Sequence, residues 1–253
     1  MNVGLIGAGN MARALARGWN RPVLCFDPLA GRADALVEEV GGQALTSNAQ
    51  LAERADLVVL CHKPGQLNDV AREVKGHARA VASILAGVSL EELRGESAYP
   101  GCPVYRFIPS LPVEVRQGAV VQAEGPVQDP GLDDTVTALF AELGTLVAVP
   151  DALVDVATGL MSCAPAYVAL VAEAQIDAGV RRGIPAPQGA ELVVQTLAGT
   201  AELLRRRGYD TLAIRREVSS PGGITAKGLD ALERAGLRTA FSDALDAVLG
   251  DQA

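Results

Sequence analysis

Residues 2–12 read NVGLIGAGNMA, and this segment sets the expectation for the first part of the chain. The apolar run at 2–7 predicts a short strand. The segment 10–20 predicts a helix, because apolar residues recur in it every four positions. A strand that leads through a GxGxxA turn into a helix is the context that a dinucleotide-binding turn requires. The segment therefore predicts a nucleotide-binding strand–turn–helix unit.

The small residues of this turn have distinct predicted tasks. Gly7 permits a tight bend, Gly9 lets a pyrophosphate approach the backbone, and Ala12 allows the helix to pack closely on the strand. The free N–H groups and the positive dipole end at the start of the helix would bind the phosphates. The alternative is a glycine turn that serves packing only. The predicted cofactor-binding residues of the turn are Gly7, Ala8, Gly9, Asn10 and Met11.

Asp27 ends the second predicted strand, 20 residues after Gly7, where the adenosine ribose is usually bound. Its carboxylate would accept hydrogen bonds from the ribose hydroxyls and repel a 2′-phosphate, which favours NAD. Arg32 follows five residues later and could face the 2′-phosphate of NADP, although a solvated helix residue is the simpler interpretation. The predicted cofactor is therefore NADP or NAD, and the choice stays open.

Strand-like and helix-like segments alternate up to Pro150, and helix-like segments alone follow it. Alternation of this kind predicts βαβ units and a mostly parallel sheet. The predicted strands are 2–7, 22–26, 56–61, 78–85, 103–108, 118–123 and 145–149, and the predicted helices are 10–20, 29–40, 165–182, 187–207 and 227–249. We therefore predict an α/β protein with a Rossmann-type dinucleotide-binding domain at 1–150 and an all-helical domain at 151–253.

Three further loops follow predicted strands, and such loops line the ligand crevice of a parallel sheet. Lys63 could contact a ribose or phosphate, whereas His62 could equally be a solvated loop residue. Ser110 could donate to a carboxamide or a substrate, or could belong to a rigid surface turn. The predicted cofactor-binding residues outside the glycine turn are Asp27, Asn48, His62, Lys63, Pro64, Ala86 and Gly87.

The segment 218–225 reads VSSPGGIT and precedes a predicted helix. Two hydroxyls, two glycines and a helix start can together bind a small carboxylate through backbone N–H groups. The alternative is a helix start that Ser219 or Ser220 caps.

Composition excludes several classes of function. The 253 residues include 30 acids and 22 bases, and the net charge of −8 disfavours nucleic-acid binding. The four cysteines and two histidines have no metal-ligand spacing, so we predict no metal and reduced thiols. We see no apolar run long enough for a membrane span and no signal peptide, and we predict a cytoplasmic protein without a membrane partner.

Together these motifs resemble those of the pyrroline-5-carboxylate reductase family. The resemblance is carried by residues 7–12, 63–64, 86–88, 106–109, 112, 118, 165–167, 177–180, 219–223 and 225. It implies a Rossmann domain followed by a helical domain that dimerises, often with dimers assembled into a ring. Three departures are Ser110, where the family usually has Asn; the run at 161–164, where the family usually has a run of Ser and Gly; and Ile224, where the family often has a smaller residue or Thr.

The resemblance also implies the reaction. A hydride from NADPH or NADH would reduce the imine of 1-pyrroline-5-carboxylate to give L-proline, with Thr225 as the catalytic residue whose hydroxyl contacts the ring nitrogen. The implied substrate-binding residues are Ser219, Ser220, Gly222, Gly223, Ile224 and Thr225. Two alternatives are a β-hydroxyacid dehydrogenase, for which Lys227 is the candidate acid–base group, and an NAD(P)-binding protein without turnover.

Overall fold

Eight strands form one sheet in the computed structural model, which describes residues 1–95, 99 and 101–250. The strands are β1 (Val3–Ile6), β2 (Val23–Phe26), β3 (Gly42–Ala44), β4 (Leu57–Leu60), β5 (Val81–Ser83), β6 (Val104–Pro109), β7 (Gly118–Glu124) and β8 (Gly144–Pro150). Their order across the sheet is β3-β2-β1-β4-β5-β6-β7-β8. Every neighbouring pair is parallel except β6 and β7, so the predicted fold class is confirmed.

Helices cover both faces of this sheet. They are α1 (Asn10–Trp19), α2 (Arg32–Val40), α3 (Asn48–Arg54), α4 (Leu67–Val74), α5 (Leu90–Arg94), α6 (Pro130–Ala141) and α7 (Val154–Met161). All four residues of β1 and of β4 are buried, because side chains that alternate along a strand enter opposite faces. Leu5 and Val59 join the apolar cluster on one face, whereas Ile6 and Val58 join the cluster on the other. This double burial explains the continuous apolar runs in the sequence.

The edge strand β3 was not predicted, because it contains only Gly42, Gln43 and Ala44 and carries no apolar signal. Its place in the sheet depends on backbone pairing with β2, and propensity does not report such pairing.

The helical part contains α8 (Ala164–Val180), α9 (Ala186–Arg206), α10 (Thr211–Glu217), α11 (Ile224–Arg234) and α12 (Leu237–Leu249). The predicted single helix at 227–249 is wrong, because the chain turns at Gly236, whose φ of +79° ends the helical path. The short helix α10 was also missed; it begins after Asp210, whose side chain accepts a hydrogen bond from the N–H of Ala213.

The chain divides into two compact units, Met1–Pro165 and Ala166–Ala253, whereas the sequence placed the boundary after residue 150. The difference has a physical cause in α7. Val154 is fully buried against Ile108 and Val121, and the segment before α7 forms an ion pair with the sheet. Residues 151–165 are therefore packed on the first unit.

The helical run Asp151–Val180 is long and apolar enough to cross a membrane, judged by length and composition alone. The expectation that no segment meets this criterion is wrong. The helices α7 and α8 follow each other closely here, and the break between them at Ser162 and Cys163 is only weakly polar. The absence of a membrane partner stays a prediction.

The helices of the second unit expose much apolar surface in the single chain. No residue of α8, α11 or α12 is buried, and Leu170, Leu192 and Phe241 are each about half exposed or more. A monomer rarely leaves contiguous apolar surface of this kind in water. These helices therefore require a partner surface, and a second copy of the chain is the simplest one.

We predict an isologous dimer through residues 160–250. Light scattering at micromolar concentration should give twice the mass of the chain. Leu192→Glu should shift this mass toward the monomer, because burying a charge without a partner is costly. Val127→Glu is the matched control, since Val127 is also exposed but lies in the first unit. A wild-type protein that stays monomeric would contradict the prediction.

Candidate active site

The glycine turn between β1 and α1 has one position that is sterically closed. Gly7 has a φ of +102°, and a Cβ there would lie 2.9 Å from the carbonyl oxygen of Cys61. The N–H of Gly7 donates to the carbonyl of Phe26 at 2.8 Å. Only glycine fits at this position. Through its contacts with Phe26 and Cys61, Gly7 joins the end of β1 to the ends of β2 and β4.

The next glycine of the turn is open. A Cβ at Gly9 would meet no atom within 4 Å in the part of the chain that the structure describes. Gly9 is the N-cap of α1 and has no capping side chain. The N–H groups of Asn10, Met11 and Ala12 consequently have no partner among the described residues. An open backbone with free donors fits the pyrophosphate of a dinucleotide.

Asp27 is oriented by the backbone on both sides of its carboxylate. Oδ2 accepts from the N–H of Ala8 at 2.8 Å, and Oδ1 accepts from the N–H of Leu29 at 2.8 Å. Each oxygen keeps a further lone pair, so the group can still accept from ribose hydroxyls. Arg32 begins α2 and is exposed. The carboxylate is therefore fixed beside the glycine turn.

A cavity of about 220 Å³ opens at the carboxyl ends of the parallel strands. Its lining is mostly apolar and comes from the ends of β4, β5 and β6, from the first turn of α1 and from the residue after α7. The lining residues are Met11, Cys61, His62, Pro64, Ile84, Leu85, Ala86, Ile108, Pro109 and Ser162. Crevices at this edge are where open α/β sheets bind their ligands.

The two titratable side chains of this cavity are held uncharged. His62 Nδ1 lies 2.8 Å from the carbonyl oxygen of Lys63, which assigns the proton to Nδ1 and the lone pair to Nε2. Burial lowers the pKa of His62, and it raises the pKa of the Cys61 thiol. His62 Nε2 is buried and has no partner among the described residues. An uncharged, largely apolar cavity suits a flat neutral ring.

The other predicted cofactor residues differ in whether they line the cavity. Pro64 and Ala86 line the cavity. Their chain neighbours Lys63 and Gly87 do not line it and are exposed. Asn48 is 6% exposed, and its Nδ2 donates to Glu73 at 2.8 Å, so its amide group is turned toward α4. The cofactor-binding role of these residues stays a prediction.

Ser110 differs from its sequence interpretation. Its Oγ donates to the carbonyl oxygen of Ala119 at 3.1 Å and accepts from the N–H of the same residue at 2.9 Å. Ser110 is 3% exposed. Its hydroxyl therefore closes the β6–β7 connection, and the hydrogen that was predicted to reach a carboxamide or substrate is donated to Ala119.

The VSSPGGIT loop places Gly223 as the N-cap of α11, without a capping side chain. The N–H of Gly223 donates to the carbonyl of Ser220 at 3.0 Å, and Gly222 has a φ of +71°. The helix start is thus not capped by Ser219 or Ser220. The N–H groups of Ile224, Thr225 and Ala226 have no partner among the described residues and can bind an anion.

Thr225 and Lys227 follow in the first turns of α11. Thr225 is half-buried, and Ile224 is 89% exposed. Lys227 is exposed and makes no ion pair with any carboxylate that the structure describes. An acid–base lysine needs a partner or a buried setting that lowers its pKa, so the dehydrogenase alternative finds no support here.

Comparison with known proteins assigns both parts of the chain. Residues 151–252 match the family described as pyrroline-5-carboxylate reductase dimerisation, and residues 2–87 match the family described as NADP oxidoreductase, coenzyme F420-dependent. A pyrroline-5-carboxylate reductase of Synechocystis is 33% identical over 98% of this chain and 95% of its own length. Pyrroline-5-carboxylate reductase 3 of Macaca fascicularis is 34% identical over 97% and 92%.

The chain belongs to the pyrroline-5-carboxylate reductase family. Solved structures agree. A 1-pyrroline-5-carboxylate reductase of Streptococcus pyogenes superposes with a TM-score of 0.89 at 28% identity over 98% of this chain and 96% of that one. A pyrroline carboxylate reductase of Plasmodium falciparum, solved with NADP bound, gives a TM-score of 0.87 at 26% identity over 98% and 95%.

Membership confirms several predictions made from the residues. The resemblance, the enzyme class of NAD(P)-dependent oxidoreductase and NADP or NAD as cofactor are confirmed. The match of residues 151–252 to a dimerisation family also supports the homodimer inferred from the exposed helices. Ser162 and Pro109 line the cavity but were not predicted, since only the fold brings α7 against β6.

We predict that Gly9→Ala weakens cofactor binding without unfolding the protein. Its φ of −73° suits alanine, but the new methyl group would occupy the open space at the helix start. The Kd of NADPH, measured by fluorescence titration, should rise about tenfold or more, equivalent to about 1.4 kcal/mol. Gly7→Ala is the contrasting variant and should lower the thermal stability. A Gly9→Ala protein with wild-type affinity would contradict this account.

The orientation of Asp27 generates a second prediction. Asp27→Ser removes a charge that repels a 2′-phosphate, so kcat/KM with NADPH should rise relative to NADH. Asp34→Ser is the control, because Asp34 is an exposed carboxylate in the first turn of α2. An Asp27→Ser enzyme whose NADPH-to-NADH ratio equals that of the wild type would show that Asp27 does not face the ribose.

Proposed function

We propose that this chain reduces the cyclic imine 1-pyrroline-5-carboxylate to L-proline, the closing step of proline biosynthesis. The relatives that carry this name cover nearly the whole chain. The observation that carries the proposal is the uncapped start of α11 after the SSPGG sequence, in a chain that also has an open dinucleotide turn. The first would bind the substrate carboxylate, and the second would bind the cofactor pyrophosphate.

The cofactor side of the proposal rests on the first unit. When bound, the nicotinamide ring supplies the hydride for the reaction. The free N–H groups of Asn10, Met11 and Ala12 would hold the pyrophosphate where it passes Gly7, Ala8 and Gly9, and Asp27 would accept from the adenosine ribose. The uncharged walls of the cavity, including His62, Pro64 and Ala86, would exclude water from the ring. We further propose that Asn48, Lys63 and Gly87 contact the cofactor.

The substrate side rests on the loop before α11. The free N–H groups of Ile224, Thr225 and Ala226 would hold the carboxylate, with Ser220 beside it and with Gly222 and Gly223 leaving room for its approach. Ser219 and Ile224 would complete the surroundings. The hydride adds to the carbon of the C=N bond, and the electron pair of that bond passes to nitrogen, which takes a proton. The Thr225 hydroxyl would hydrogen-bond this nitrogen.

The loop 218–226 contains no Asp, Glu or His. We therefore infer that orientation of the two reactants supplies most of the rate, and not a general acid with a strongly shifted pKa. The assembly of dimers into a ring and a cytoplasmic location remain proposals that the family resemblance and the composition support.

The role of Thr225 can be tested by substitution. Thr225→Ala should lower kcat about tenfold or more if the hydrogen bond is worth about 1.5 kcal/mol in the transition state. Thr225→Ser keeps the hydroxyl and should retain most of the turnover. The Kd of NADPH should be unchanged in both variants, because the cofactor turn lies in the first unit. Full turnover of Thr225→Ala, or loss of cofactor binding, would contradict this assignment.

A further inference from the structure

Arg106 is a charged side chain buried in the sheet. It lies on β6 and is only 2% exposed. Its Nη1 donates to Asp151 Oδ1 at 2.8 Å, and its Nη2 donates to Asp155 Oδ1 at 2.6 Å. The other oxygen of Asp151 accepts from the N–H of Leu90 at 3.0 Å. A guanidinium buried this deeply is tolerated only while carboxylates compensate it, so the arrangement is held tightly.

The two aspartates stand at the start of α7, and the far end of the same helix is also attached to β6. Ser162 follows α7, and its Oγ donates to the carbonyl oxygen of Pro109 at 3.3 Å. From Asp155 to Ser162 a helix rises by about 10 Å. From Arg106 to Pro109 a strand advances by about 10 Å. The helix and the strand therefore run side by side with one polar contact at each end.

The far contact forms part of the cavity wall. Ser162 and Pro109 both line the cavity at the carboxyl ends of the strands, whereas Arg106, Asp151 and Asp155 do not. Between the two ends, Ala157 and Met161 of α7 pack on the apolar cluster that contains Ile108 of β6. Because α7 is packed along its length, a shift of the helix at the Arg106 end would also shift Ser162 in the cavity wall.

We propose that Arg106 is a positioning residue for cofactor binding: by holding Asp151 and Asp155 it fixes α7 along β6 and keeps Ser162 against Pro109. The inference rests on the proposed function, in which this cavity receives the nicotinamide ring. Arg106 touches neither ring nor substrate, and its effect passes through the position of Ser162. Small displacements of a wall that orients a ring have large effects on the bound geometry.

A double-mutant cycle tests this chain of contacts. Arg106→Lys keeps the charge but cannot hold both aspartates in a planar fork. Ser162→Ala removes only the far contact. Each variant should raise the Kd of NADPH, measured by fluorescence titration, roughly fivefold. The double variant should bind no more weakly than Arg106→Lys alone, because both substitutions remove the same constraint.

Arg116→Lys is the matched control. The Arg116 guanidinium donates to the carbonyl oxygens of Gly18 and Trp19, which are not cavity residues. This variant should lose thermal stability, as Arg106→Lys does, but keep the wild-type Kd. A purely structural role for Arg106 would make the two variants alike in both measurements.

Several outcomes would overturn the inference. They are a wild-type Kd in folded Arg106→Lys, a wild-type Kd in Ser162→Ala, and a double variant whose loss equals the product of the two single losses. Ser162→Ala decides the matter alone if Arg106→Lys does not fold. Failure of the proposed function is recognisable separately, because the wild-type protein would then form no proline from 1-pyrroline-5-carboxylate, whatever its Kd for NADPH.

Discussion

Close packing of the Gly7 backbone against the Cys61 carbonyl is the constraint on which the cofactor-binding unit depends. The 2.9 Å clearance that a Cβ would have there leaves room for hydrogen only. Because β1 and β4 end at this contact, the loop after β4 lies beside the start of α1. The free N–H groups of α1 and the cavity that His62 lines are consequently neighbours on one edge of the sheet. A side chain at position 7 would separate them.

The same physical feature recurs in the second unit. Helix α11, like α1, begins at a glycine without a capping side chain, and its first N–H groups are left without described partners. Ser, Thr, Asp and Asn are the residues that most often cap such groups. Helices α2 and α12 also begin at a glycine without a capping side chain, so the proposal of a pyrophosphate at α1 and a carboxylate at α11 rests as well on the GxGxxA and SSPGG sequences before them. The exposed apolar helices around α11 are explained by the dimerisation family that residues 151–252 match.

Local signals in the sequence were sufficient for the strands other than β3, for helices α1, α2, α8 and α9, for the glycine turn and for the loop before α11, because each depends on neighbours in the chain. Helices α3 to α7 were not predicted. Contacts between distant segments were not predictable in this way. Ser110 is turned onto Ala119 by the β6–β7 pairing, and Arg106 meets Asp151 across 45 residues. Because this contact holds the segment before α7 on the sheet, the second unit begins at Ala166 and not at residue 151 as predicted. The break at Gly236 was missed because apolar spacing continues across it.

Transfer of a labelled hydride tests the central claim most directly. The purified protein would be given 1-pyrroline-5-carboxylate and NADPH or NADH carrying deuterium at both positions of nicotinamide C4, and the product would be analysed by mass spectrometry. The account predicts L-proline that carries one deuterium, at the carbon of the former imine. Proline without deuterium, or no proline with either cofactor, would contradict it.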